Sequence, residues 1–381
     1  MNAGKRADNG IYYFLGNISS HILHALPLHK ELGGTFVVLS GKAKREVEKY
    51  GVPVIAIDDK PSKLTRFGFR FKPIYHYLSI DKDLKRTVDY LNKNAKVVLF
   101  YELYDFDESI RLTKPKTVFL THGNMLKDYM ANAGRLELIK QYDYMAALGP
   151  IVKKQFIEHG GMNPAQLVDL GVARTDELYE LRKDKALRSK VTWELGVNPR
   201  KKIVAYLPTF WGVSSIYNTG KELLRNINDS YTVLFRLHPQ VPAKIRQEYQ
   251  AIVSSRENIF WADERLHPSL TLPAVLCASD VILGDVSSVV LEAILVEKPL
   301  IFVYDVGEHR QSPDDYKFIR EVVDWSEHID MDNVADTNKI LAEALEKGID
   351  HKIWQATKDQ TFYHHDGSSV EAIAEFVRKQ L

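Results

Sequence analysis

Three clusters of polar residues in this chain stand where apolar runs end, and their types suit chemistry on phosphate. The first is THGNMLK (121–127), directly after the run TVFL. The ordinary pKa of histidine lies near neutrality, so His122 is a candidate general base toward a hydroxyl. Gly123 beside it would let backbone approach a ligand closely. The second is RLHPQV (236–241), after YTVLF. Arg236 carries a planar fork that matches phosphate oxygens, and Pro239 restricts the backbone of His238 to an extended shape. The third lies in LGDVSSVVLEAILVEKPLIFV (283–303), where Gly284, Asp285, Ser287 and Ser288 break the apolar pattern. A helix starting near Ser287 has first amides without intrahelical partners; with two hydroxyls and the helix dipole they can hold phosphate. Each cluster has an ordinary alternative: a histidine bonded to a loop carbonyl, a strand stopped by proline, a serine helix cap. Asp285 argues both ways in the third, since a carboxylate caps a helix well but repels a phosphate.

Smaller features accompany these. LPTFWG (207–212) brings Thr209 and large aromatics to a strand end, as a ligand wall or as packing. GVARTD (171–176) offers Arg174 and Asp176, an ion pair in the ordinary reading. In PSKLTRFGFRFKP (61–73), Lys63, Arg66, Arg70 and Lys72 interleave with Leu64, Phe67, Phe69 and Phe71. That mixture suits an anionic membrane surface or polyanionic acceptor, unless the rings are buried and the charges form a solvated rim. Neither the Walker phosphate loop nor the dinucleotide glycine fingerprint is found in the sequence, nor is the HExxH metal pattern. No metal and no cofactor are expected.

Positioning such groups requires strands that end together. Nearly continuous apolar runs, the mark of strands covered on both faces, occur at 11–16, 35–40, 52–57, 96–101, 117–122, 144–149 and 167–172. They resume at 202–210, 231–239, 280–285 and 299–305, with amphipathic helical stretches between several of them. This alternation predicts an α/β fold with two Rossmann-like domains, their parallel sheets facing a cleft and ligands at the carboxyl ends of the strands. The length of 381 residues also suits two domains. The charged segment 177–202 predicts a linker near 175–200, dividing an N-terminal domain (1–185) from a C-terminal one (186–381). A final amphipathic helix ends the chain.

A net charge of +1 gives no global field for nucleic acid, and none is expected as a partner. The single cysteine, Cys277, excludes an internal disulfide and fits a reducing cytoplasm. The first residues do not read as a signal peptide, and no apolar run approaches the ~20 residues of a membrane span. A cytoplasmic protein is the expectation.

Taken in order, these pieces resemble the CDP-glycerol glycerophosphotransferases of teichoic acid and capsule polymer synthesis. The matching residues are His122, Gly123 and Lys127; Gly171, Arg174 and Asp176; Pro208 and Thr209; Arg236, His238 and Pro239; Asp285, Ser287, Ser288 and Val289; Lys298, Pro299, Ile301 and Phe302; and Asp366 with Gly367. The resemblance spans roughly residues 120 to 370. It departs from the family at Thr121, where tryptophan is common, at Glu292, and after Asp305, where the usual donor loop is lacking.

The resemblance implies a GT-B-like architecture, with the C-terminal domain holding a nucleotide donor and the N-terminal domain an acceptor. It implies His122 as general base and His238 with Arg236 at the donor pyrophosphate. Ser287 and Ser288 would bind donor phosphates; Thr209, Asp285 and Gly123 would lie near the donor, and Lys127 and Arg174 nearer the acceptor. The implied reaction transfers a polyol phosphate from a CDP-polyol to a polymer or lipid-linked acceptor and releases CMP, at the inner face of the cell membrane if 61–73 binds it. A nucleotide-sugar glycosyltransferase, a hydrolysing epimerase and a non-catalytic binding protein of the same fold are the alternatives.

Overall fold

The apolar runs form strands in the computed structural model, which describes residues 9–17, 21–57, 84–104, 110–121, 133–210, 214–263, 266–305 and 322–381. The first sheet contains β1 (Ile11–Gly16), β2 (Thr35–Val38), β3 (Val54–Ala56), β4 (Val97–Phe100), β5 (Lys116–Phe119), β6 (Tyr144–Ala147) and β7 (Leu167–Asp169). Its order is β3-β2-β1-β4-β5-β6-β7, with every pair parallel. Helices α1 (Ile22–Leu32), α2 (Gly41–Glu48), α3 (84–94), α4 (Ala133–Lys140) and α5 (Pro150–Glu158) lie between its strands. All six residues of β1 are buried, because a parallel sheet must carry its crossover helices on its faces.

The second sheet holds β8 (Lys202–Leu207), β9 (Tyr231–Phe235), β10 (Ile259–Trp261), β11 (Val281–Gly284), β12 (Leu300–Val303) and β13 (Glu327–Ile329), in the order β10-β9-β8-β11-β12-β13 and again all parallel. Its helices include α6 (Thr175–Leu181), α7 (Leu187–Leu195), α8 (Thr219–Asn226), α9 (Ala243–Ser254), α10 (Leu272–Ala278) and α11 (Ser288–Leu295). Both sheets follow the doubly wound order, in which the order of adding strands across the sheet reverses at one pair: β1/β4 in the first, β8/β11 in the second. Crossovers leave that pair on opposite faces, opening a crevice at its carboxyl edge where ligands of such sheets bind.

One unit of the chain comprises the described residues up to Arg174 together with Ser368–Leu381, and the other Thr175–Gly367. The division thus falls ahead of the expected one at 185/186. The stretch expected as a linker folds as α6 and α7: Leu178, Leu187 and Val191 recur on one side and are buried, while the charges occupy the other. The last helix, Ser369–Arg378, buries Ile373, Ala374 and Val377 in the first unit's core and sets Phe376 edge-on to Tyr144 at 5.0 Å. β10 and β13 went unread in the sequence. They are outer strands of three residues each and, unlike the equally short β3 and β7, are closely flanked by charged residues rather than set in a longer apolar run.

The second core centres on Tyr206, Phe235 and Tyr249, with Val233, Leu223 and Leu283 around them. Each fully buried aliphatic or phenyl side chain contributes about 1.5–3 kcal/mol. This packing makes the carboxyl ends of β8, β9 and β11 a rigid platform.

Candidate active site

At the switch point of the second sheet, β8 leaves toward Thr209 and β11 toward Asp285. The Asp285 side chain is wholly buried and joins the two exits. Its Oδ1 accepts from the Thr209 amide at 2.8 Å. Its Oδ2 accepts from the Ser215 amide at 3.0 Å, from Ser215 Oγ at 2.9 Å and from Ser214 Oγ at 3.0 Å. Ser214 Oγ also lies 2.7 Å from the Thr209 carbonyl. Because Ser215 Oγ gives its proton to the carboxylate, Tyr206 Oη, 2.7 Å away, must be the donor in their contact. Tyr249 Oη closes the network on the Ile216 carbonyl at 3.0 Å. Burial pushes the Asp285 carboxyl above its ordinary range, and the donors pull it partly back. Asp285, expected beside donor phosphate, therefore faces inward and holds the loop that follows β8. The repulsion anticipated from the sequence does not arise, since the carboxylate is occupied by amides and hydroxyls.

The same loop reaches β9. Phe210 stacks on His238, ring centroids 4.2 Å apart and planes inclined by 20°. The Gln240 amide donates to His238 Nδ1 at 3.2 Å. A neutral ring that accepts at Nδ1 carries its proton on Nε2, so His238 in this arrangement is a donor at Nε2. The Arg236 amide bonds the Tyr206 carbonyl at 3.1 Å, which continues the sheet past β9. Its guanidinium Nη1 lies 3.2 Å from the Ala262 carbonyl and 3.3 Å from that of Leu270. Arg236 thus supports the segment after β10, a use the sequence did not suggest.

Gly284 ends β11 against α11. A Cβ at this position would lie 2.7 Å from Val290 Cγ2, so no larger residue fits. Beyond it the Ser287 amide bonds the Asp285 carbonyl at 2.7 Å, and Ser287 Oγ caps the Val289 amide at 3.4 Å. Ser288 opens the helix. The cap reading of GDVSS is the arrangement present. α11 buries Val290, Leu291, Ala293, Ile294 and Leu295, and a helix apolar on nearly all sides must be covered. It is covered by α6, by the helix His351–Thr361 and by β11 and β12.

Thr209, Arg236, His238, Asp285 and Ser287 are therefore brought to one edge of the second sheet. Arg174 is half-buried at the last residue of the first unit, and Asp176 lies in the first turn of α6. His122, Gly123, Lys127 and the basic aromatic segment 61–73 lie outside the described residues. The residue before His122 is described: Thr121 is buried with φ +62°. That left-handed conformation is strained for a β-branched side chain, and such strain gathers at functional turns. At the switch point of the first sheet, Gly16 ends β1 with φ +56°, and a Cβ there would meet Tyr104 Oη. His21 Nε2 lies 4.0 Å from Glu102 Oε2 across the same edge. The sequence reading passed over this group, although a glycine closing an apolar run before a helix was the available signal.

Comparison with known proteins agrees with this picture. The family model described as CDP-glycerol:poly(glycerophosphate) glycerophosphotransferase matches residues 78–379. The teichoic acid glycerol-phosphate primase of Bacillus subtilis (strain 168) is 24% identical over 316 residues, covering 77% of this chain and 76% of that protein. The teichoic acid ribitol-phosphate primase of Bacillus spizizenii is 26% identical over 259 residues, covering 63% of this chain and 60% of that protein. In three dimensions, the wall teichoic acid polymerase TagF aligns with 97% of this chain and 88% of its own, at a TM-score of 0.63 and 15% identity. The UDP-GlcNAc 2-epimerase of Neisseria meningitidis also aligns at 0.63, with 13% identity over 97% of this chain and 99% of its own. Two structures of enzymes with different activities at equal similarity establish the fold alone.

Proposed function

The chain belongs to the CDP-glycerol:poly(glycerophosphate) glycerophosphotransferase family, and from that premise we propose that it moves a polyol phosphate, in the first instance glycerol phosphate, from a CDP-activated donor to a hydroxyl of a cell-surface polymer or lipid-linked acceptor. The observation that carries this reading is the convergence of the β8 and β11 exits on one buried carboxylate, with His238, beyond β9, held beside them by Phe210.

In this reading the acceptor oxygen attacks the β-phosphorus of the donor, the bond from that phosphorus to the bridging oxygen breaks, and CMP leaves. His122 takes the proton of the acceptor hydroxyl. His238, protonated at Nε2, donates to the donor phosphates, where negative charge builds on the departing CMP. Ser287, Ser288 and the first turn of α11 face phosphate oxygens, and Thr209 lines the donor side. Arg236 orders the wall behind His238 and adds positive charge. Such catalysis works through positioning and charge neutralisation more than through covalent chemistry. The Thr175–Gly367 unit is the donor domain and the other the acceptor domain, with Lys127 and Arg174 on the acceptor side and Gly123 facing the donor. Among the described residues no helix is long and apolar enough to cross a membrane; contact with the inner membrane face is assigned to 61–73.

The test is nucleotide release from CDP-glycerol, CDP-ribitol and UDP-sugars in the presence of a polyol-phosphate-primed acceptor. CMP from a CDP-polyol, dependent on acceptor, is the expected result. Release of UDP or CDP from a nucleotide sugar would replace this reading with a glycosyltransferase. Consumption of donor without acceptor would replace it with an epimerase or hydrolase. His122→Ala and His238→Ala should each abolish transfer in a folded protein, and undiminished turnover in both would remove their assignment.

A further inference from the structure

Opposite the donor edge, where β8, β11 and β12 begin, the second unit has an open pocket of about 480 Å3. Six cationic side chains line it: Arg182, Lys185, Arg188, Arg200, Lys202 and Lys298. Two carboxylates share the lining, Asp184 and Asp280, and both already have partners. Asp280 accepts from Arg188 at 2.7 Å and from the Ile203 amide at 2.8 Å, with Lys202 at 3.4 Å. Asp184 accepts from Lys190 at 2.9 Å and from the Ala186 amide at 2.8 Å. Arg182 pairs with Glu297 at 2.8 Å. These contacts leave Lys185, Arg200 and Lys298 without a carboxylate among the described residues. They come from three separate segments: the lead into α7, the approach to β8 and the turn before β12.

From this arrangement we infer a second, non-catalytic anion site that binds a chain of phosphate groups, lying at the amino edge of the second sheet. Three uncompensated cations converging in a concave site concentrate positive potential there. The volume suits a ligand larger than a single ion, since small-molecule sites run from about 300 to 1,000 Å3. Among the described residues no aromatic ring lines the pocket, so a nucleobase would find no stacking platform. Phosphates without a base are what remain, and a phosphodiester chain offers them at regular spacing. The site also gives a use to Lys298, which the resemblance singled out and which stands at the wrong end of β12 for the donor. Identifying the chain with the acceptor polymer rests on the function proposed above; the site itself does not.

The single cysteine provides a local probe, because Cys277 lines this pocket. Burial pushes the Cys277 thiol up to about 12, so its alkylation is slow. The experiment follows the rate in the full-length protein with excess iodoacetamide in mildly alkaline buffer, where the lysines stay charged, while inorganic tripolyphosphate is titrated with no donor nucleotide present. Half-protection by tripolyphosphate is expected in the wild type and equally in His238→Ala. It should require at least tenfold more tripolyphosphate in Lys185→Ala/Arg200→Ala/Lys298→Met. Should that variant fail to fold, Lys185→Ala/Arg200→Ala changes exposed side chains alone and should still shift the midpoint severalfold. Absence of protection in the wild type, or an unchanged midpoint in the variants, would overturn the site. Protection by phosphatidylglycerol vesicles but not by tripolyphosphate would overturn it in favour of membrane docking. Because no transfer is measured, failure here leaves the proposed reaction standing, and failure of the nucleotide-release test leaves this site standing.

Discussion

Asparagine in place of Asp285 keeps the shape of the side chain but turns one acceptor into a donor. Oδ1 serves the Thr209 amide, and Oδ2 serves the Ser215 amide and two hydroxyls. The hydroxyls can rotate to accept from an NH2 group, whereas a backbone amide cannot. In either orientation of the asparagine one buried N–H, that of Thr209 or of Ser215, faces another donor. An unsatisfied buried amide costs about 1–3 kcal/mol. Part of this is offset, because burial raises the Asp285 carboxyl above its ordinary range and so already disfavours the charged form in the folded state. The sign is that of a raised carboxyl: this group's contribution is most favourable below its unfolded pKa and weakens as pH rises through its folded one. Asp285→Asn is therefore expected to lower the urea midpoint by the equivalent of about 1–2 kcal/mol at neutral pH, with the m-value unchanged. Asp285→Ala, which strands both amides, should cost about twice that. Transfer should fall more steeply than stability, by over tenfold in kcat/KM, because Thr209 and Phe210 lie on the loop that Asp285 holds and Phe210 carries His238. Wild-type stability together with wild-type kcat/KM in Asp285→Asn would refute the organising role. A lower KM for the donor would place the carboxylate against donor phosphate after all.

Three further outcomes follow from particular contacts. Gly284→Ala sets a Cβ 2.7 Å from Val290 Cγ2 and should lower stability by roughly 1–3 kcal/mol, measured by thermal melting; an unchanged melting temperature would mean that α11 can move off β11 freely. Phe210→Ala removes a stack worth about 0.5–1.5 kcal/mol and should reduce kcat/KM by up to about tenfold without altering the urea midpoint comparably; full activity would show that His238 needs no such support. Burial works against the Asp280 carboxylate, but the Ile203 amide and Arg188 hold it below its ordinary range. Its stabilising contribution is thus present above the unfolded value and is lost as pH falls through the folded one. Arg188→Ala should cost about 1.5–3 kcal/mol at neutral pH and flatten the acid limb of the stability profile below about pH 4; an acid limb identical to wild type would refute the linkage.

The strands of both sheets were legible because nearly all are buried on two faces and read as continuous apolar runs, as YTVLF in β9 and DVILGD around β11 do. The edge strands β10 and β13 were not legible, because charged residues crowd their three-residue cores, whereas the equally short β3 and β7 lie within longer apolar runs. The segment 177–202 misled for a different reason. Its charges dominate a linear reading, while the leucines and valine that dock α6 and α7 are spaced on one face, and only a neighbouring surface makes that face matter. Within the candidate site, His238 and Arg236 announced themselves as basic residues at a strand exit. The stacking by Phe210, the proton at Nε2 and the carbonyl contacts of Arg236 did not, since their partners come from other strands and loops.

By itself the sequence determined the alternation of strands and helices, the polar residues at the ends of β8, β9 and β11, and the family, because these depend on local pattern and on motif order. The tertiary structure decided where those residues point. Pairing of β8 with β11 brings Thr209 and Asp285 together across 76 positions of chain, and that pairing depends on the whole sheet rather than on either segment. It made Asp285 an internal acceptor rather than a charge facing donor. It also set Lys298, a few residues beyond the donor-edge motif, at the opposite edge, because α11 carries the chain from the carboxyl end of β11 back to the amino end of the parallel strand β12.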